Sequence, residues 1–224
     1  MTGVTIAIDG PAASGKGTLA RRLADHFALA YLDTGALYRA VGRDVLTAGH
    51  DPADAAAAAD CARRLDPESL ADSRLRDQDV ARASSVVAVH PPVRAALLDF
   101  QRGFAARPPG GKRGAVLDGR DIGTVVCPQA ALKLYITASD ATRAQRRHKE
   151  LAERGETSLL AAVLADLQAR DARDSTRASA PMKPAADAIL VDTTSLDADA
   201  VFARIAPLIE ALFAPAAFSA IRPA

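Results

Sequence analysis

The sequence predicts an α/β fold in which a parallel β-sheet is flanked by helices, and three observations carry that prediction. Short apolar runs alternate with longer segments whose apolar residues recur at helical spacing, the order that joins parallel strands by crossover helices. The first run, Val4 to Ile8, ends at Gly10-Pro11 and passes through a glycine-bearing turn into a helix. The chain has 224 residues, 49% hydrophobic and 25% charged, the composition of a folded domain with a sizeable core.

In order along the chain, Val4, Ile6 and Ile8 form a strand that Gly10-Pro11 breaks. Leu19, Leu23 and Phe27 then predict a helix over 16–26. Ala28 to Leu32 reads as extended, and after Asp33-Thr34-Gly35 a helix is expected from Ala36 to Ala48. Residues 50–90 interrupt the rhythm and read as an inserted subdomain. They comprise an Ala-rich helix (Ala53 to Leu65), a charged stretch, and Ser85-Val86-Val87-Ala88-Val89, which looks like a strand. Pro91-Pro92 suits the first turn of a helix whose buried stripe is Val93, Leu97, Phe100 and Phe104. Residues 107–114 make a loop, and Ala115-Val116-Leu117 and Leu132 to Thr137 are strands. A basic helix covers Asp140 to Arg154, and after Gly155 another covers Leu159 to Ala172. Ala188 to Val191 is the last strand. Thr194-x-x-Asp197 looks like a capping box for a final helix through Val201, Ile205, Leu208 and Leu212, before a frayed tail at 214–224.

Several functional classes drop out. Basic and acidic residues number 28 and 27, so the net charge of +1 does not suit coating nucleic acid or an anionic membrane. Aromatics are scarce, with no Trp, which leaves no platform for stacking single strands. Cys61 and Cys127 stand far apart, and His26, His50, His90 and His148 show no metal-ligand spacing. No apolar run reaches the roughly 18 residues of a membrane span, and the N-terminus does not read as a secretory signal. A soluble, cytoplasmic protein is expected. Of the 28 basic residues 23 are Arg and 5 are Lys, so a single arginine says little and each lysine says more. Asn is absent, which removes the N-K-x-D guanine motif and the protein-kinase catalytic loop.

Gly10-Pro11-Ala12-Ala13-Ser14-Gly15-Lys16-Gly17-Thr18 lies where a phosphate-binding loop must, after an apolar strand and at the start of a helix. Glycines let consecutive backbone N–H groups converge on phosphate oxygens, the helix start adds its positive end, and Lys16 supplies a mobile point charge. The hydroxyl expected directly after the lysine arrives one residue later, at Thr18. That G-K-G-T spacing is the form found in nucleoside monophosphate kinases. The expected ligand is a nucleoside triphosphate.

Further motifs carry a more specific resemblance. Asp33-Thr34-Gly35-Ala36-Leu37-Tyr38-Arg39, Asp118-Gly119-Arg120-Asp121-Ile122-Gly123-Thr124 and Arg170-Asp171-Ala172-Arg173-Asp174-Ser175-Thr176-Arg177 follow in that order. Together with Ala180-Pro181-x-x-Pro184-Ala185 and Asp192-Thr193-Thr194, they resemble the successive signatures of bacterial cytidylate kinase, over about residues 4–210. The resemblance implies one P-loop kinase domain of three parts. These are a core (about 1–49, 91–139 and 186–213), a region binding the monophosphate enlarged by the 50–90 insert, and a helical lid (about 140–185). It implies transfer of the γ-phosphoryl group of ATP, with Mg²⁺, to CMP or dCMP by a monomer.

The site residues follow from the same resemblance. Lys16, Arg120 and Arg177 would be catalytic, and the loop 10–18 would hold ATP. Arg39, Arg120 and Arg177 would lie around the acceptor and transferring phosphates, and Thr34 and Tyr38 beside them. Ser85, Arg94 and Asp121 would select the base, and Arg170 and Asp174 would contact the sugar. An acceptor that is already an anionic phosphate oxygen needs no general base, only screening and positioning by cations, which suits arginines drawn from several directions. A carboxylate such as Asp121 could accept from the N4 amino group of cytosine, whereas uracil offers an acceptor there. No metal ligand is assigned, although Thr18 and Asp118, which resembles a Walker B acid, are plausible neighbours of Mg²⁺. The basic residues Arg143, Arg146, Arg147, His148 and Lys149 fit a solvated face as well as contact with ATP. Two alternatives stand: a P-loop kinase acting on UMP, AMP or a hydroxyl-bearing metabolite, with Asp33 or Asp121 as base, and a nucleotide-binding module without turnover.

Overall fold

The computed structural model describes residues 3–214, so the tail expected to fray lies, from residue 215 onward, outside the described residues. Five strands form one sheet: β1 (Val4–Asp9), β2 (Ala30–Asp33), β3 (Gly114–Gly119), β4 (Leu132–Thr137) and β5 (Ile189–Asp192). They lie in the order β2-β3-β1-β4-β5, and each neighbouring pair is parallel. Eight α-helices accompany them among the described residues: α1 (Lys16–His26), α2 (Thr34–Thr47), α3 (Ala55–Arg63), α4 (Gln78–Val87), α5 (Pro91–Ala106), α6 (Asp140–Glu153), α7 (Leu160–Thr176) and α8 (Ala198–Phe213).

Alternation along β1 sorts its side chains between two apolar layers, as the pleat of a strand requires. Ile6 and Ile8 pack with Leu19 and Leu23 of α1 and Ile205 and Ile209 of α8. Ala7 faces the other way, into a cluster with Leu37 and Val41 of α2 and Val93 and Leu97 of α5. These side chains are essentially without solvent exposure, and each fully buried Leu or Ile contributes about 1.5–3 kcal/mol. A smaller cluster joins α6 and α7 through Leu151, Val163 and Leu167 to Ala12 of the glycine-bearing turn. The chain leaves β1 at the centre of the sheet, and β3 and β4 flank it on opposite sides. The strand order reverses there, and in open parallel sheets the crevice beyond the carboxyl ends of such strands receives ligands. Asp9, Asp33 and Asp118 all stand at those ends.

Several local expectations are corrected. Ser85–Val89 is not a strand, because Ser85 to Val87 close α4. Val80, Ala83, Ser84 and Val87, four of its five buried residues with Ser85 the fifth, are spaced at the helical repeat, and that amphipathic face outweighs the strand preference of Val86-Val87. Phe100 is 37% exposed on α5, where Val93, Leu97, Gln101 and Ala105 face inward, and Leu208 is 36% exposed on α8, where Ile209 takes its place. Asp197, not Thr194, caps α8 by accepting from the Ala200 N–H at 2.8 Å. The Thr194 hydroxyl instead donates to Asp192. Asp33 caps α2, which therefore starts at Thr34, and α7 runs on to Thr176, so the arginine-rich motif lies on a helix.

Candidate active site

The carboxyl ends of β1, β2 and β3 open into one cleft of about 820 Å³, bounded on the far side by α4, α6 and α7. All the residues given a site role from the sequence line it except Gly10 and Pro11; of the basic residues on α6, Arg146 and Arg147 line it, and Arg143, His148 and Lys149 do not. Gly10 has φ 144°, and a Cβ there would stand 2.0 Å from the Ile136 carbonyl, so the loop can cross β4 only as glycine. Gly15, at φ 89°, precedes α1 in the left-handed region and is followed directly by Lys16.

Lys16 Nζ donates to the Pro11 carbonyl at 3.2 Å, which folds the side chain back over the loop. Burial, and then the Arg120 charge, bring its ammonium down to about 7. Beside it, burial and Asp33 push the Asp118 carboxyl up to about 7, while Tyr31 Oη donates to it at 3.1 Å. A Cβ on Gly17 would stand 3.4 Å from Asp118 Oδ2, so the glycine keeps open the space between that carboxylate and the loop. Burial acts to raise Asp33 as well, but the Arg39 guanidinium, 2.7 Å away, holds its carboxyl below the ordinary carboxylate range.

Helix α6 grips the loop from above. Arg143 Nη1 donates to the Ala12 carbonyl at 3.1 Å and to Asp171 at 2.5 Å. Arg146 donates to Thr193 through both terminal nitrogens, and the Thr193 hydroxyl donates to the Ser14 carbonyl at 3.0 Å. The Ser14 hydroxyl is buried without a partner. These carbonyl contacts leave the amide side of the loop facing the cleft, as an anion site requires.

The opposite wall interleaves arginines with aspartates. Arg94 lies over the Tyr38 ring at 5.5 Å and donates to Asp121 at 2.5 Å. Arg177 Nη2 donates to the other Asp121 oxygen at 3.3 Å, and its Nη1 lies 3.8 Å from Asp174. Arg120 Nε donates to Asp174 at 2.9 Å. Arg177 is therefore tied to the carboxylates of Asp121 and Asp174. Ser85 presents its hydroxyl from α4 and accepts from Arg173 at 3.1 Å, and Thr34 turns away to donate to the Asp118 carbonyl at 2.8 Å. Arg170 differs from its neighbours. Its Nε is buried with no partner, and burial and Arg120 bring its guanidinium down to about 10. Arg120 and Arg39 act on it from one side and Asp174 and Asp171 from the other, and a buried guanidinium nitrogen without a partner is a candidate for an anionic ligand.

Sequence reasoning marked neither Tyr31 nor Asp9 and committed to no role for Arg173 or Arg146. Arg173 stood inside a quoted motif and Arg146 on the basic helix. Nothing local marked Tyr31 or Asp9, whose partners lie 87 and 113 positions away.

Comparison with known proteins agrees with this geometry. The sequence profile described as cytidylate kinase matches residues 6–211. The chain is 62% identical over 198 residues to a cytidylate kinase of Paramagnetospirillum magneticum, covering 88% of this chain and 93% of that one. It is 58% identical over 205 residues to a cytidylate kinase of Methylocella silvestris, covering 92% and 93%. Among solved structures, an uncharacterized protein from Eubacterium ventriosum superposes with a TM-score of 0.51 at 15% identity, over 92% of this chain and 98% of that one, and shares the fold alone. With the profile spanning nearly the whole described chain and close relatives aligned over most of its length, the chain belongs to the cytidylate kinase family.

Proposed function

We propose that the protein transfers the γ-phosphoryl group of ATP to CMP and dCMP, giving ADP and the corresponding diphosphate, with no covalent intermediate. The observation that carries this reading is the pairing, in one cleft, of a backbone phosphate cradle with an arginine wall that ends in a carboxylate–guanidinium base reader.

ATP occupies the loop 10–18, and Lys16 follows its β- and γ-phosphates. A triphosphate beside Lys16 restores the ammonium that burial disfavours. The monophosphate of the acceptor lies among Arg39, Arg120 and Arg170, where Arg170 gains the anionic partner it lacks. The acceptor oxygen is already anionic, so the protein's task is to hold two repelling anions in line and to support the charge on the transferring group. Asp121, oriented by Arg94 and Arg177, accepts from the cytosine N4 amino group. Uracil would set a carbonyl against that carboxylate and leave it unpaired. Asp174 stands beside the sugar, and Ser85 and Tyr38 border the base. Arg177 acts here through Asp121 and Asp174, at the nucleoside end of the acceptor. Its catalytic part is to fix the acceptor's orientation.

Mg²⁺ would enter with the nucleotide. The Asp118 carboxylate, the space that Gly17 leaves beside it and the Thr18 hydroxyl at the cleft edge fit a hard cation that keeps several waters and takes few protein ligands. When bound, the cation screens charge between donor and acceptor. Among the described residues no three His, Cys, Asp or Glu side chains gather into a group that could hold a metal.

The site gives little support to a hydroxyl acceptor. Such chemistry profits from a free base, but Asp33 is held by Arg39 and the Ala36 N–H, and Asp121 by Arg94 and Arg177. Segments 50–90 and 140–185 supply α4, α6 and α7 as the movable walls, the monophosphate-binding insert and the lid. We take the protein to act as a monomer, as the family resemblance implies. No helix among the described residues is long and apolar enough to cross a membrane, and the cytoplasm, which holds both nucleotides, is the compartment we assign. ADP release measured with a panel of nucleoside monophosphates and hydroxyl metabolites tests the reading. We expect turnover with CMP and dCMP far above UMP and AMP, and turnover confined to a hydroxyl acceptor would reject it.

A further inference from the structure

The segment after β3 poses a problem of supply. Asp121 sits at the N-cap of a single π-helical turn, Ile122–Val126, where its side chain would ordinarily bond the exposed N–H groups of that turn. It makes no such bond, because both its oxygens are engaged by Arg94 and Arg177 in the cleft. The N–H groups of Ile122 and Gly123 nonetheless have partners. Each donates at 2.8 Å to a different oxygen of Asp9, a residue 4% exposed at the end of β1 and directly before the phosphate loop.

We infer that Asp9 is a positioning residue for base selection, a cap supplied from another strand that frees the Asp121 carboxylate to face the cleft and fixes the backbone it hangs from. This rests on the reading of Asp121 as the group that recognises cytosine. A buried acid with no cationic partner within hydrogen-bonding distance is an expensive way to satisfy two amides, and burial raises Asp9 to about 6. Its presence is explained if the alternative cap, Asp121 itself, is needed elsewhere. By joining the end of β1 to the turn after β3, the same carboxylate sets the base reader relative to the start of the phosphate loop.

The test compares Asp9→Asn, Asp121→Asn and the double variant by kcat/KM for CMP and for UMP, with KM for ATP beside them. An asparagine at position 9 can accept from one amide only, so that variant should lower the CMP-to-UMP ratio about tenfold while KM for ATP stays within about twofold. Added to Asp121→Asn, it should lower the ratio no further. A loss that falls equally on both monophosphates, leaving the ratio intact, makes Asp9 merely structural and overturns the proposal. Should Asp121→Asn itself leave the ratio unchanged, the reading of Asp121 fails and the proposal falls with it. If Asp9→Asn does not fold, NMR on the wild-type chain decides. The Ile122 and Gly123 amide signals should move with the titrating Asp9 carboxyl, and amides that ignore it would overturn the proposal.

Discussion

The two ends of the cleft, each assigned above to an anion, are built from different materials. At the donor end the work falls to backbone amides in a nine-residue stretch, with one lysine, and the loop is braced from behind by Arg143, Arg146 and Thr193 through its carbonyl groups. At the acceptor end it falls to guanidinium groups from α2, α5, α7 and the turn after β3: Arg39, Arg94, Arg120 and Arg177 are paired with aspartates, Arg173 donates to Ser85, and Arg170 Nε has no partner. Amide dipoles carry no net charge and cannot be turned aside, so the cradle is ready at all times. Guanidinium groups repel one another and must be neutralised while they wait. In the function proposed above, Asp121 and Asp174, which pair with these arginines, also read the nucleoside, and this would tie recognition of the base to the arrangement of the phosphate site.

Removing charge from each end separates the two designs. Lys16→Ala should have the largest effect, lowering kcat by at least about 10³-fold, because the cradle has no second cation that moves with the γ-phosphate. Single-turnover kinetics at saturating ATP would check this, and a tenfold loss or less would mean that the amides suffice. Arg170→Ala should rank next, raising KM for CMP and lowering kcat/KM about 10²-fold with KM for ATP nearly unchanged. Equal loss for both substrates would place Arg170 on the donor side.

The smallest effect is a proton. In the free enzyme the Lys16 ammonium is brought down to about 7 by burial and by Arg120, so at pH 8 it is mostly neutral. Triphosphate binding favours the charged form, and ATP should therefore take up close to one proton at pH 8 and far less at pH 6. The Asp118 carboxyl, raised to about 7, is mostly ionised at pH 8 and adds little there. Calorimetry in buffers of unlike ionisation enthalpy measures the uptake, and buffer-independent heats at pH 8 would show that Lys16 is already charged.

Much of this was legible in the chain because the information was local. β1, the phosphate loop and α1 occupy consecutive residues, and β4 was expected at Leu132 to Thr137, where it lies. The misread segment, Ser85–Val89, shows the opposite case. Taken alone it favours a strand, and only the buried positions that begin at Val80 reveal the helix that turns Ser85 into the cleft. Phe100 and Leu208 were placed inside by spacing alone, yet a helix face is decided by what packs against it.

Most of the order of strands and helices, the phosphate-loop motif and the stock of arginines and aspartates were determined by the sequence itself, since each depends on residues within a few positions of one another. Which carboxylate answers which guanidinium was decided only in three dimensions. Arg94 and Asp121 are 27 residues apart, Arg120 and Asp174 are 54, and Asp9 and Gly123 are 114. A charged group can pair with any opposite charge brought within reach, so its partner is chosen by the packing of strands and helices that place it, and not by its neighbours along the chain.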